Sequence, residues 1–157
     1  MISIVVIIRD NFKISYKCLQ SITWAASKNF EVIIVNNGGG AIINNLINIF
    51  KAKFEQKHIK VKTIVNENNL GAAVARNQAI ALASGNTFVF LDNDVFGKDK
   101  YWLKRIQKLM MSNNVAGVGP KLIYPFMPDI IQCAGGGINS KGGVLLIGRG
   151  QNKNLAN

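Results

Sequence analysis

The stretch Phe90-Leu91-Asp92-Asn93-Asp94-Val95 carries an apolar run, begun at Thr87, straight into two carboxylates separated by one residue. Side chains two apart on a strand point the same way, so Asp92 and Asp94 converge if strand geometry continues past Leu91. Two hard oxygen ligands at the end of a buried strand make a seat for Mg²⁺ or Mn²⁺, with a phosphate completing the shell. Taken alone, Asp-Asn-Asp is also the composition of a turn, and short motifs match by chance. What lies upstream favours the site.

Upstream, strand and helix patterns alternate. Residues 2–8 are rich in β-branched apolar side chains, as a strand buried on both faces requires. Residues 14–26 place Ile14, Cys18, Leu19, Ile22 and Ala26 at helical spacing. A second strand is predicted at 31–35, and Asn36-Asn37-Gly38-Gly39-Gly40 breaks the chain after it. Residues 41–54 predict a helix with Ile42, Leu46, Ile49 and Phe50 on one side, followed by a third strand at 61–65. A polar loop at 66–70 leads to an Ala-rich helix at 71–83, and Gly85 suits its C-terminal turn. The fourth strand is 87–91. A helix at 101–111 and a short strand at 115–118 follow. Such β-α repetition predicts an α/β fold, a mostly parallel sheet with helices on both faces. Ligands of these sheets bind outside the carboxyl ends of the strands. Those ends carry Arg9-Asp10-Asn11, Asn36-Asn37, residues 66–69 and Asp92-Asn93-Asp94, all polar, and together they would line one crevice.

Beyond Gly119 the rhythm changes. Residues 120–125 and 130–134 read as short extended segments, and Met127-Pro128-Asp129-Ile130 as a turn. Gly135-Gly136-Gly137 and Gly142-Gly143 surround a hairpin, and residues 149–157 read as a frayed polar end. The chain is expected to form one domain: βα units at 1–119, a further region at 120–148, and the tail at 149–157.

The bulk numbers set bounds. With 157 residues and 48% hydrophobic content, the chain can bury a core and is not disordered. Nineteen Lys and Arg against eight Asp and Glu give a net charge of +11, which favours anionic partners. The cations are spread out, so solvated helix faces explain most of them, and no aromatic pattern for nucleic acid accompanies them. Cys18 and Cys133 belong to no CxxC pair and read as reduced thiols of a cytoplasmic protein. The apolar N-terminal run stops at Arg9-Asp10, too short to span a bilayer. Gly38 and Gly40 are spaced as in the dinucleotide fingerprint, but Ile43 takes the third glycine position. The Walker loop is missing, and one His, His58, cannot build a Ser-His-Asp site.

Four segments in order resemble family 2 of the glycosyltransferases, which has the nucleotide-sugar-binding fold called GT-A. They are Ser3-Ile4-Val5-Val6-Ile7-Ile8-Arg9-Asp10-Asn11, Glu31-Val32-Ile33-Ile34-Val35-Asn36-Asn37-Gly38, Asn68-Asn69-Leu70-Gly71 with Ala75-Arg76-Asn77, and Phe90-Leu91-Asp92-Asn93-Asp94. Gly117-Val118-Gly119-Pro120-Lys121-Leu122 and Ile131-Gln132-Cys133-Ala134-Gly135-Gly136 are similar to a rhamnosyltransferase-like branch of surface polysaccharide synthesis. The resemblance implies that Asp94 holds a divalent Mg²⁺ or Mn²⁺ on a donor diphosphate, and that Asp92 contacts the ribose or the metal shell. It makes residues 120–148 the start of an acceptor-side region. It places Arg9, Asn11, Asn36 and Asn93 near the nucleotide. Gly71 would allow close backbone approach, and Arg76 would offer a phosphate contact or a structural ion pair. Asn77 is expected to hydrogen-bond from helix to loop.

Two departures stand out. Asn36 occupies a position where the family usually has Asp, so one acceptor oxygen and a donor NH₂ replace a carboxylate. The family's acceptor-activating carboxylate lies in a later segment, yet residues 141–157 contain no Asp or Glu, and Asp129 is the one carboxylate after Asp99. The expectation is therefore a truncated GT-A domain: a metal-dependent, inverting transferase moving a sugar from a nucleotide-diphosphate donor to a glycan or lipid-linked hydroxyl. The alternative is a nucleotide-diphosphate-binding fragment without a catalytic base. Nucleic acid is not an expected partner, and peripheral contact with the inner face of the membrane is compatible with the charge.

Overall fold

A computed structural model of the protein describes residues 1–27, 29–112 and 114–154. The chain forms two compact units, Met1–Lys104 and Arg105–Asn157.

The first unit is built on β1 (Ile2–Ile8), α1 (Phe12–Thr23), β2 (Phe30–Asn37), α2 (Gly40–Gln56), β3 (Lys60–Asn66), α3 (Ala72–Leu82) and β4 (Thr87–Asp92). The strands form one parallel sheet in the order β3-β2-β1-β4. β2 is buried along its whole length, as its Val and Ile content requires. Alternation along the strands divides the core. Ile4, Val6, Ile8, Val32 and Ile34 pack with Cys18, Leu19 and Ile22 of α1 and with Leu46, Phe50 and Phe54 of α2. On the other face Val5, Ile33 and Val35 meet Ala75 and Ala79 of α3. Small residues on α3 let that helix lie close to the sheet. The expected fold class is thus present, with helices on both faces.

Several sequence expectations are corrected. On α2 the buried row is Ile43, Leu46, Ile47, Phe50 and Phe54, while Ile42 and Ile49 stand in solvent. The helix carries apolar residues on two adjacent rows, and packing against the sheet selects one. Gly85 does not close α3, whose C-cap is Ala83 in extended conformation. It fills a place with no room for a side chain: a Cβ there would lie 2.7 Å from the Met1 carbonyl oxygen and the Ser3 hydroxyl.

One charged residue, Glu31, is fully buried among these strands. Its carboxylate accepts from the Ser3 hydroxyl at 2.7 Å and from the Ser84 backbone N–H, and it faces the Lys62 ammonium at 3.0 Å. Burial by itself would raise its pKa. The Ser84 and Ser3 donors and the Lys62 charge overturn that effect and hold the carboxyl at about 2.

α4 (Trp102–Met110) begins in the first unit, where Leu103 is buried in the core beside α1 and α2. In the second unit β5 (Leu122–Tyr124) pairs antiparallel with β6 (Met127–Cys133), and β7 (Gly136–Ile138) with β8 (Val144–Leu146). The glycine-flanked hairpin is therefore formed. Residues 115–118 make no strand, because Gly117, Gly119 and Pro120 leave too short a run for ladder pairing. Asp129 lies within β6 rather than in a turn, and its carboxylate meets Lys153 at 2.6 Å. The expected frayed end is tied down as far as it is described: Asn152 bridges Ile130, and Gly150 N–H donates to the Ile131 carbonyl. Residues 155–157 lie outside the described residues. Among the described residues no helix is long and apolar enough to cross a membrane.

Candidate functional site

The carboxyl ends of the four parallel strands frame a cleft of about 390 Å³ in the first unit. Parallel strands all release the chain at the same edge, so the polar loop residues of the sequence gather there. β1 and the loop after it contribute Ile7, Arg9 and Asp10; β2 contributes Asn37; the loop into α3 contributes Asn69 and Gly71, and α3 itself Ala72 and Arg76; β4 and its turn contribute Asp92, Asn93 and Asp94.

Strand geometry ends at Asp92, two residues before Asp94, so strand alternation does not align the pair. The Val95 N–H donates to the Asp92 carbonyl at 3.0 Å and closes a turn that carries Asp94 to the same cleft. Asn93 fixes that turn against the start of α1, donating to the Ser15 hydroxyl at 2.8 Å and the Asp10 carbonyl at 3.4 Å. Arg76 reaches from α3 to the Asp92 carboxylate at 3.0 Å, with both side chains solvent-accessible, and its guanidinium lies 5.8 Å from the Phe90 ring centre. Of the two parts expected for Arg76, the ion pair is the contact seen, and it sits in the cleft wall.

Among the sequence-derived candidates, Arg9, Gly71, Arg76, Asp92, Asn93 and Asp94 come together. Asn11 and Asn36 do not line the cleft. Asn11 is left-handed, φ 58°, and donates to the Asp10 carboxylate. Asn36 is fully buried: it donates to Asn44 at 2.7 Å and to the Gly40 carbonyl at 3.2 Å, and accepts from Gly39 N–H at 2.7 Å. Asn37 and Asn69, expected among the polar strand ends that line the crevice but given no role of their own, face the cleft. The available signal was the strand period of two, which sends adjacent Asn36 and Asn37 to opposite sides. In place of the helix-to-loop hydrogen bond expected of Asn77, its neighbour Gln78 exchanges two amide bonds with Asn66 at the end of β3.

The cleft combines the guanidinium groups of Arg9 and Arg76 with the carboxylates of Asp10, Asp92 and Asp94. Three negative charges against two positive ones repel a lone polyanion, and an added divalent cation reverses the balance. Among the described residues no three Asp, Glu, His or Cys side chains form a complete ligand set. Asp92 and Asp94 therefore suit a hard cation that draws the rest of its shell from water and phosphate, as Mg²⁺ and Mn²⁺ do. Beneath them the Cys18 thiol donates to the Asp92 carbonyl at 3.6 Å. Burial, then the charges of Asp94 and Asp92, push its pKa up to about 12, so it stays a neutral packing group.

Residues 3–130 match the family model described as Glycosyl transferase family 2. An uncharacterized glycosyltransferase of Rickettsia felis is 31% identical over 114 residues, which cover 72% of this chain and 18% of that protein. The glycosyltransferase GlyG of Streptococcus pneumoniae is 31% identical over 99 residues, 63% of this chain and 32% of that protein. Among solved structures, the mannosyltransferase PcManGT of Pyrobaculum calidifontis, in complex with GDP-Man and Mn²⁺, superposes with a TM-score of 0.67 at 16% identity. That match covers 73% of this chain and 33% of that one. TarS 1-349 of S. aureus with UDP-GlcNAc gives a TM-score of 0.61 at 20% identity, over 76% of this chain and 37% of that one. At these identities the structural likeness establishes a GT-A-type fold. The chain thus spans only between about a fifth and two fifths of the length of these proteins.

Proposed function

We propose a function from one established premise: the chain belongs to glycosyl transferase family 2. The cleft binds the nucleotide diphosphate of a sugar donor, and a divalent cation, Mg²⁺ or Mn²⁺, is needed for it to do so. The observation that carries this is the excess of carboxylate over guanidinium in a cleft at the carboxyl edge of the sheet. Asp94 and Asp92 would hold the cation, which when bound neutralises charge on the departing diphosphate. Arg9 and Arg76 would face phosphate oxygens, and Gly71 and Asn93 would shape the cleft around the nucleotide. Structural neighbours bound to GDP-Man with Mn²⁺ and to UDP-GlcNAc support such a ligand.

In the transfer step an acceptor hydroxyl oxygen bonds to the anomeric carbon as the bond from that carbon to the diphosphate oxygen breaks. The electron pair leaves with the nucleoside diphosphate, and the hydroxyl proton passes to a general base. Attack opposite the leaving group inverts the anomeric centre. The acceptor is a glycan or lipid-linked hydroxyl of surface polysaccharide synthesis, in keeping with the rhamnosyltransferase-like segments at 117–122 and 131–136. A second reading has its own observation. The one carboxylate of the second unit, Asp129, is committed to Lys153 at 2.6 Å. The 157-residue chain would then bind the donor, and transfer would need a base supplied from outside it.

Calorimetric titration with UDP, dTDP and GDP, with and without Mn²⁺, tests the proposal. Metal-dependent binding that Asp94→Ala abolishes is the expected result. Binding with equal affinity in the absence of metal, or in Asp94→Ala, would overturn the metal assignment. Sugar transfer by the isolated chain would exclude the second reading.

A further inference from the structure

We infer that Ser15 and Ser21 of α1 are positioning residues for the cation, holding at both ends the turn that presents Asp94. The inference rests on the nucleotide-site reading above; the two serines lie outside the cleft lining. Both are buried, and so is Cys18 between them. Positions 15, 18 and 21 are successive i, i+3 neighbours on one row of α1. The segment from Asp92 to Gly97 runs along this row, and each position holds it. The Ser15 hydroxyl accepts from Asn93 Nδ2 at 2.8 Å, the Cys18 thiol donates to the Asp92 carbonyl at 3.6 Å, and the Ser21 hydroxyl accepts from the Gly97 N–H at 3.2 Å.

A hydroxyl has one proton to give and lone pairs that receive, and each serine uses both. Ser15 donates to the Asp10 carbonyl at 3.1 Å, to which Asn93 Nδ2 also donates at 3.4 Å. The loop after β1 and the turn after β4 therefore close on one hydroxyl, and both line the cleft, through Asp10 and through Asn93 and Asp94. Ser21 donates to the Cys18 carbonyl of its own helix at 2.8 Å, which leaves its lone pairs for Gly97. Gly97 has no room for a side chain: a Cβ there would overlap the Trp102 ring, which packs against the core. Asp94 is exposed and stands between the two anchored residues, Asn93 and Gly97. The place of its carboxylate follows the backbone that the serines hold. Hard divalent cations take oxygen ligands at short, defined distances, so a turn free to shift would hold one less tightly.

The test measures the Mn²⁺ concentration that half-saturates binding of UDP or GDP, at one pH, in wild type, Ser15→Ala, Asn93→Ala and the double variant. Alanine removes the hydroxyl of position 15 with little change in volume. Ser15→Ala should raise the Mn²⁺ midpoint about tenfold, the effect of losing one to two hydrogen bonds. In an Asn93→Ala background the same change should have little further effect, because the contact is already gone. A folded Ser15→Ala with the wild-type midpoint, whatever its melting temperature, overturns the inference and leaves the serine a packing residue. An equal rise in both backgrounds overturns it as well. If Ser15→Ala does not fold, Ser21→Ala cuts the other end of the turn, away from the cleft. A raised midpoint in that variant supports the inference, and an unchanged one overturns it. Wild type that binds neither nucleotide, or binds them without Mn²⁺, would instead overturn the reading of the site itself.

Discussion

Replacing Glu31 with Gln should destabilise the protein by an amount that depends on pH. The Glu31 carboxylate joins β1, β2, β3 and the segment before β4 through Ser3, Lys62 and Ser84. Its pKa falls from 4.5 to about 2 on folding. At roughly 1.4 kcal/mol per unit, that depression stabilises the fold by about 3 kcal/mol at neutral pH. The folded-state pKa lies below the unfolded one. The stabilisation is therefore complete above about pH 4.5 and is lost as pH falls toward 2. Gln keeps the volume but cannot carry the charge, and its NH₂ must face either the Ser84 N–H or the Lys62 ammonium. Urea unfolding of wild type and Glu31→Gln from pH 7 to pH 3 measures the difference. With an m-value of about 2 kcal/mol/M, the midpoint should fall by roughly 1.5 M at pH 7. At pH 3 the gap should shrink to less than half, because wild type is then losing the same charge. A gap that stays constant across this range would refute the assignment of the stabilisation to the ionised carboxylate.

Arg76→Gln should cost no more than about 1 kcal/mol of stability, since its ion pair with Asp92 is solvent-accessible. Nucleotide affinity should fall about tenfold or more; a large loss of melting temperature with unchanged binding would make Arg76 structural only. Gly38→Ala meets two obstacles, a φ of +87° and a Cβ 2.7 Å from the Asn69 backbone nitrogen, so differential scanning should show a clear drop in melting temperature. An unshifted melting temperature would contradict the close approach of the two loops. Toward a thiol reagent at pH 8, half-buried Cys133 should react quickly and buried Cys18 only after unfolding. Two equally fast thiols would contradict the packing of Cys18 under the cleft.

The parallel α/β fold was legible because its signals are local. Apolar β-branched runs, helical spacing of core residues and Asn- or Gly-rich breaks each fix one element, and parallel repetition puts the polar breaks on one edge. The carboxylate pair Asp92 and Asp94 was legible for the same reason, although a turn rather than a continued strand delivers Asp94. Where tertiary partners decide, the sequence was silent or misleading. Asp129 entered β6 because β5 and Lys153 offered that segment partners. The buried row of α2 was chosen by the sheet beneath it. Asn36 and Asn37 are identical in type and adjacent in the chain, yet one is locked at the start of α2 and the other faces the cleft and donates to Asn69. Residue type and spacing determined that this chain would build a polar crevice at the ends of parallel strands. Which amide, arginine and carboxylate meet there depends on the register and order of the strands, set by contacts between residues far apart in the chain.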